Sequence, residues 1–85
     1  MNICVNSKFD CSIDDFRIMV KSFEGEIQNS VSDWKIGVVN DHETIMLLNV
    51  TDMDQFVALM HSPRMKQWDA DNNCTDLVYS LEQQN

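Results

Sequence analysis

The chain has 85 residues, of which 44% are apolar, including six Met, four Phe and two Trp; this is a globular rather than a disordered composition and the size of one domain, 1–85. No run approaches the ~20 continuous apolar residues of a membrane span, and Met1 to Lys8 lacks the basic and long apolar regions of a secretion signal, so a cytoplasmic protein is expected. Fourteen acidic residues against six basic ones give a formal charge of −8, which repels phosphate backbones and anionic lipid and argues against nucleic acid or a membrane as partner.

Asn2 to Phe9 reads as a strand, with Ile3 and Val5 on one face and Cys4 and Asn6 on the other. Ser12 has the character of a helix N-cap, and Asp14 and Asp15 suit the positive end of the helix dipole. Ile13, Phe16, Val20, Phe23 and Ile27 follow at helical spacing, with Met19 widening the stripe; Gly25 ends this helix early or weakens its last turn. Trp34 to Val39 is the second strand, Asn40-Asp41-His42 a turn, and Glu43 to Val50 the third strand. Thr51 or Asp52 caps a second helix whose apolar stripe is Met53, Phe56, Val57 and Met60, and Asp52 with Gln55 has capping-box spacing. Ser62-Pro63 restarts the chain as a short helix carrying Met65 and Trp68. The polar run Asp69 to Asn73 reads as a loop, and Thr75 to Leu81 as the last strand.

The halves resemble each other at a fixed offset: Ser12-Ile13-Asp14-Asp15-Phe16 lies over Asp52-Met53-Asp54-Gln55-Phe56, and strand one falls on strand three. Two strand–helix–strand units side by side predict an α+β, ferredoxin-like βαββαβ fold, with both helices on one face of a four-stranded antiparallel sheet. A sheet with one wet face alternates cleanly, yet Ile45, Met46, Leu47 and Leu48 are consecutive and apolar. Apolar side chains therefore remain on the face without helices, and a second copy packed sheet against sheet is the expected cover.

Cys4, Cys11 and Cys74 are odd in number and match no zinc spacing, so reduced thiols are expected. Cys11, just before a helix, is the one with a conceivable nucleophilic role. His42 and His61 have no partners at metal-site spacing, and no metal is expected. With Gly25 and Gly37 as its glycines the chain has no phosphate-binding loop, and strand three lacks the basic and aromatic residues of an RNA-recognition sheet.

The Trp34-Lys35-Ile36-Gly37 strand, the Asn40-Asp41-His42 turn, the passage from Asn49 to Phe56 and the Met60-His61-Ser62-Pro63-Arg64-Met65 break together resemble the dimeric α/β barrel superfamily. That superfamily includes antibiotic-biosynthesis monooxygenase-like proteins and many small bacterial ones. The resemblance implies a homodimer holding a small organic molecule between sheet and helices, in some members oxidising it without a cofactor. Its haem-degrading and quinone-forming branches use an Asn near the end of strand one and a Trp on the second helical segment, where Asn6 and Trp68 stand here. The haem branch adds a His beyond that Trp, and no His follows Trp68, so no cofactor is assigned.

Phe16, Met19, Phe23, Met60, Met65 and Trp68 all lie on helix faces directed at the sheet. Residue by residue they are ordinary core; together, given the resemblance, they are the expected apolar wall of a ligand site, with Asn6 or Tyr79 at its polar end. The expected function is therefore a homodimer that binds a small, mostly apolar molecule, fatty-acid-like or aromatic, with no catalytic residue assigned. A cofactor-independent monooxygenase and a purely structural interaction module are the alternatives.

Overall fold

A computed structural model describes residues 1–82. Its elements are β1 (Ile3–Lys8), α1 (Ile13–Ser22), α2 (Glu24–Gln28), β2 (Val31–Asn40), β3 (Glu43–Val50), α3 (Met53–Met60), α4 (Pro63–Asp71) and β4 (Thr75–Ser80). The sheet has four strands in the order β2-β3-β1-β4, all neighbours antiparallel. This is the ferredoxin-like arrangement predicted from the sequence, with β1 and β3 central and β2 and β4 at the edges.

The helix starts are set by their caps. The Ser12 hydroxyl accepts from the Asp15 amide at 3.2 Å, the Asp52 carboxylate from the Gln55 amide at 3.1 Å, and the Ser62 hydroxyl from the Met65 amide at 3.3 Å. Pro63, at the first turn of α4, has no amide proton to leave unpaired.

Three expectations are corrected. The first helix is two pieces, broken at Phe23, whose amide is shared between the Met19 and Val20 carbonyls at 3.2 and 3.1 Å. Such forked bonds tighten a helix end, and the break precedes Gly25, which lies within α2. In α3 the inward stripe is Phe56 with half-buried Leu59 and Met60, while Met53 and Val57 are exposed, so the helix is rotated from the face its spacing implied. The run expected as a loop belongs largely to α4. Gln67 donates to Asp71 at 2.7 Å, the Asn72 side-chain NH₂ donates to the Trp68 carbonyl at 2.9 Å, and Asn73 then turns the chain at φ 49°. Asn tolerates that left-handed conformation.

Strand alternation decides what each sheet face carries. Ile3, Val5 and Ser7 of β1 and Thr44, Met46, Leu48 and Val50 of β3 are buried beneath the helices. Phe16, Met19, Val20, Phe23, Ile27, Phe56 and Met65 pack onto them from above. On the opposite face Cys4 lies between Leu47 and Tyr79, and Asn6 between Ile45 and Leu77, by the strand register. Those four apolar side chains are exposed, Leu77 at 57% and Tyr79 at 52%.

Candidate functional site

A cavity of about 60 Å³ lies between the sheet and the helices. Val5, Met46 and Leu48 form its floor, and Phe16, Met19 and Val20 of α1 one wall. Phe56, Leu59 and Met60 of α3 and Met65 and Trp68 of α4 close it from the other side. Its lining is almost wholly apolar. Around its aromatic end, Phe9 and Phe16 stack at 4.9 Å, and Trp68 meets both edge-on at 6.3 and 6.1 Å. Trp68 is only half-buried, so the wall it forms separates cavity from solvent.

Ser7, Asp69, Cys74 and Asp76 also border the cavity. They come from β1, the end of α4, the following turn and β4. The Ser7 hydroxyl donates to Asp76 Oδ1 at 2.6 Å, and the Cys74 thiol donates to the same oxygen at 3.6 Å. Ser7 is buried; Asp69, Cys74 and Asp76 are half-buried. Burial, and then the charge of Asp76, raises the Asp69 carboxyl above its usual range, partly offset by a hydrogen bond from Cys74. Burial first, and then both carboxylates, pushes the Cys74 thiol far up, which keeps it a protonated donor.

Asp69, Cys74 and Asp76 bring three potential ligand atoms within 4.8 Å of one another. A metal bound there would first have to strip the proton from that thiol. His42, whose Nδ1 lies 2.9 Å from the Cys11 carbonyl, and His61 are exposed and take no part. The Cys11 thiol is raised by burial and then by Asp15, opposite to the shift a nucleophile requires.

Of the candidates named from the sequence, Phe16, Met19, Met60, Met65 and Trp68 are brought together around the cavity. Phe23 is buried in the same core, with the Arg64 guanidinium 4.4 Å from its ring centre, but does not line the cavity. Asn6 and Tyr79 do not join them. Both point to the helix-free face, and Asn6 donates there to Glu43 at 3.1 Å and to the Thr44 carbonyl at 3.2 Å. The polar groups at the cavity are instead Ser7, next to Asn6, and Asp76, three residues before Tyr79, each on the opposite side of the strand alternation from the residue expected. A polar side chain on the Ile3–Val5 face of β1 was the available signal for Ser7.

The architecture is a ferredoxin-like α+β fold, a four-stranded antiparallel sheet in the order β2-β3-β1-β4 with the helices on one face. No protein-family model and no curated protein matches the chain by sequence. Among solved structures it is similar to SnoaB, a cofactor-independent oxygenase from Streptomyces nogalater, at 9% identity and TM-score 0.66, over 98% of this chain and 93% of that one. It is also similar to HapK from Hahella chejuensis, at 13% identity and TM-score 0.57, over 100% of this chain and 96% of that one. At these identities the likeness establishes the fold.

Proposed function

We propose that the protein binds a small, mostly apolar molecule between its sheet and helices, as a homodimer joined through the helix-free sheet face. The observation that carries the reading is the apolar cavity walled by Met19, Met60, Met65 and Trp68 with polar groups gathered at one border. Ligand sites commonly combine an apolar lining with a few orienting polar groups. At about 60 Å³ the cavity is smaller than the roughly 300–1,000 Å³ of drug-sized sites, so the guest is small or the wall yields. The methionines supply adaptable walls, and α4 joins α3 through a break at His61-Ser62 rather than a continuous helix. The dimer is supported by the exposed row of Ile45, Leu47, Leu77 and Tyr79.

The test keeps Trp68 as the sole tryptophan through Trp34→Phe and titrates neutral probes, hexanol and toluene. A saturable change in Trp68 emission, lost when Met65→Phe fills the space in a folded protein, is the expected result. If neither probe perturbs Trp68, the reading loses its site and the interaction-module alternative replaces it.

A second reading, cofactor-independent oxygenation, draws on the raised carboxyl of Asp69 at the cavity border, the property of a group poised to exchange protons, and on the likeness to SnoaB. Oxygen uptake with electron-rich polycyclic phenols, lost in Asp69→Asn while binding persists, would support it. Absence of uptake with the whole class leaves binding alone.

A further inference from the structure

The polar border of the cavity has a sign. Asp69 and Asp76 both stand there, half-buried, and neither is in an ion pair: among the described residues the salt bridge is Arg64 with Glu26, on the surface. The two protein donors at the border, the Ser7 hydroxyl and the Cys74 thiol, both converge on Asp76 Oδ1. Cys74 has a single thiol proton to share between Asp76 and Asp69, and the second oxygen of Asp76 receives no hydrogen bond from the described residues. A second observation lies in the same cross-strand row. Thr44 is paired with Ser7 in the register and Ser7 with Asp76; Thr44 is fully buried, and its hydroxyl has no partner. Buried polar groups ordinarily find partners, so this end of the core carries more polar capacity than the protein itself satisfies.

Resting on the proposed binding site, we propose that the ligand's polar head is a cationic amine, held by Asp69 and Asp76 while its apolar tail fills the cavity. A carboxylate head would place a third negative charge beside two that already lack a counter-ion, at a border where water is partly excluded and like charges repel strongly. An ammonium group brings three donors to carboxylate oxygens that have room for them. The fatty-acid-like ligand expected from the sequence is therefore disfavoured by the residues that border the cavity. A metal ion is the other cation the cluster would accept. The Cys74 thiol, held protonated by burial and its acidic neighbours, and the apolar space directly alongside favour the organic cation.

The test compares three probes with the same six-carbon tail, hexylamine, hexanol and hexanoate, by the Trp68 emission of the Trp34→Phe protein and by calorimetry, with Zn²⁺ alone as a fourth arm. Hexylamine is expected to bind at least about ten-fold more tightly than hexanoate, a difference of about 1.4 kcal/mol. Asp69→Asn is expected to remove most of that preference while hexanol binding stays unchanged. Asp76→Asn, which keeps an acceptor for Ser7, is the second variant if the first fails to fold. The amine preference is also expected to shrink as pH falls and Asp69, whose carboxyl is raised by burial and then by the charge of Asp76, takes up a proton. Equal or tighter binding of hexanoate, or saturable Zn²⁺ binding without amine binding, overturns the proposal. In the first case hexanol binding shows that the cavity itself still functions. Binding of none of the three organic probes defeats the binding site together with the proposal that rests on it.

Discussion

Phe16 is 2% exposed and is shared between the stack on Phe9 and the edge contact with Trp68. Phe16→Ala removes a ring from both and enlarges the cavity, so a loss of about 3–5 kcal/mol is expected, read from urea denaturation. Asp69 gives a pH-dependent effect. Its folded-state carboxyl titrates above the ordinary value near 3.8, so the native state holds that proton more tightly than the unfolded chain. Its contribution is most favourable below the unfolded value and is lost as pH rises through the folded one. Asp69→Asn is therefore expected to gain stability relative to the parent as pH rises through that window. A difference in urea midpoint that stays flat with pH would contradict the assignment. At this scale the structure gathers Phe16, Met19, Met60, Met65 and Trp68 around the cavity, while Phe23, Asn6 and Tyr79 lie off it. Asn6 and Tyr79 have the chemistry of a polar end, whereas strand alternation places Ser7 and Asp76 on the helix side. Asp69 was hidden because a polar run at a helix end has the composition of a loop.

Helix boundaries show how local chemistry and tertiary packing share control. The caps at Ser12, Asp52 and Ser62 and the strand from Glu43 to Val50 were legible because each depends on residues adjacent in sequence. The break at Phe23 and the rotation of α3 were not, because neither depends on local spacing alone. Phe23 is buried against the core and faces Arg64, which reaches from α4 to pair with Glu26 of α2 at 2.9 Å. Losing the Asp52 cap by Asp52→Ala is expected to cost about 1 kcal/mol, since it frees the Gln55 amide at an exposed helix start. The Arg64–Glu26 pair is exposed on both sides, and Glu26→Gln is expected to shift stability by less than about 1 kcal/mol. A larger loss would mean that this contact clamps α4 to α2.

Across the whole molecule the two halves repeat as strand, broken helix, strand. The repeat seen in the sequence, Ile13 over Met53, returns as α1 over α3, α2 over α4, and two central and two edge strands. Tertiary symmetry of this kind was readable because it is written in the order of elements rather than in their contacts. What order alone did not decide was which sheet face takes the helices. The burial of Ile3, Val5, Met46 and Leu48 settles it and leaves Ile45, Leu47, Leu77 and Tyr79 outward. Leu47→Arg, in that patch and on a central strand, is expected to convert a dimer to a monomer by light scattering without unfolding the helix-side core. A parent protein that is already monomeric at micromolar concentration would remove the sheet face from the proposed assembly.

The interrupted junction between α3 and α4 also sets an order of opening. Pro63 contributes no amide, and the first ties of α4 are those of Met65 and Lys66 to the Ser62 hydroxyl and carbonyl, at 3.3 and 2.9 Å. The central strands β1 and β3 are hydrogen-bonded on both sides. Amide deuterium exchange by mass spectrometry is therefore expected to label α4 well before β1 and β3, through local openings that leave the sheet intact. Met65, Trp68 and Asp69 travel with α4, so each such opening exposes the cavity. A guest that enters this way would slow exchange in α4 first, and the rate of opening there would cap its rate of entry. Uniformly slow exchange in α4 would require another doorway.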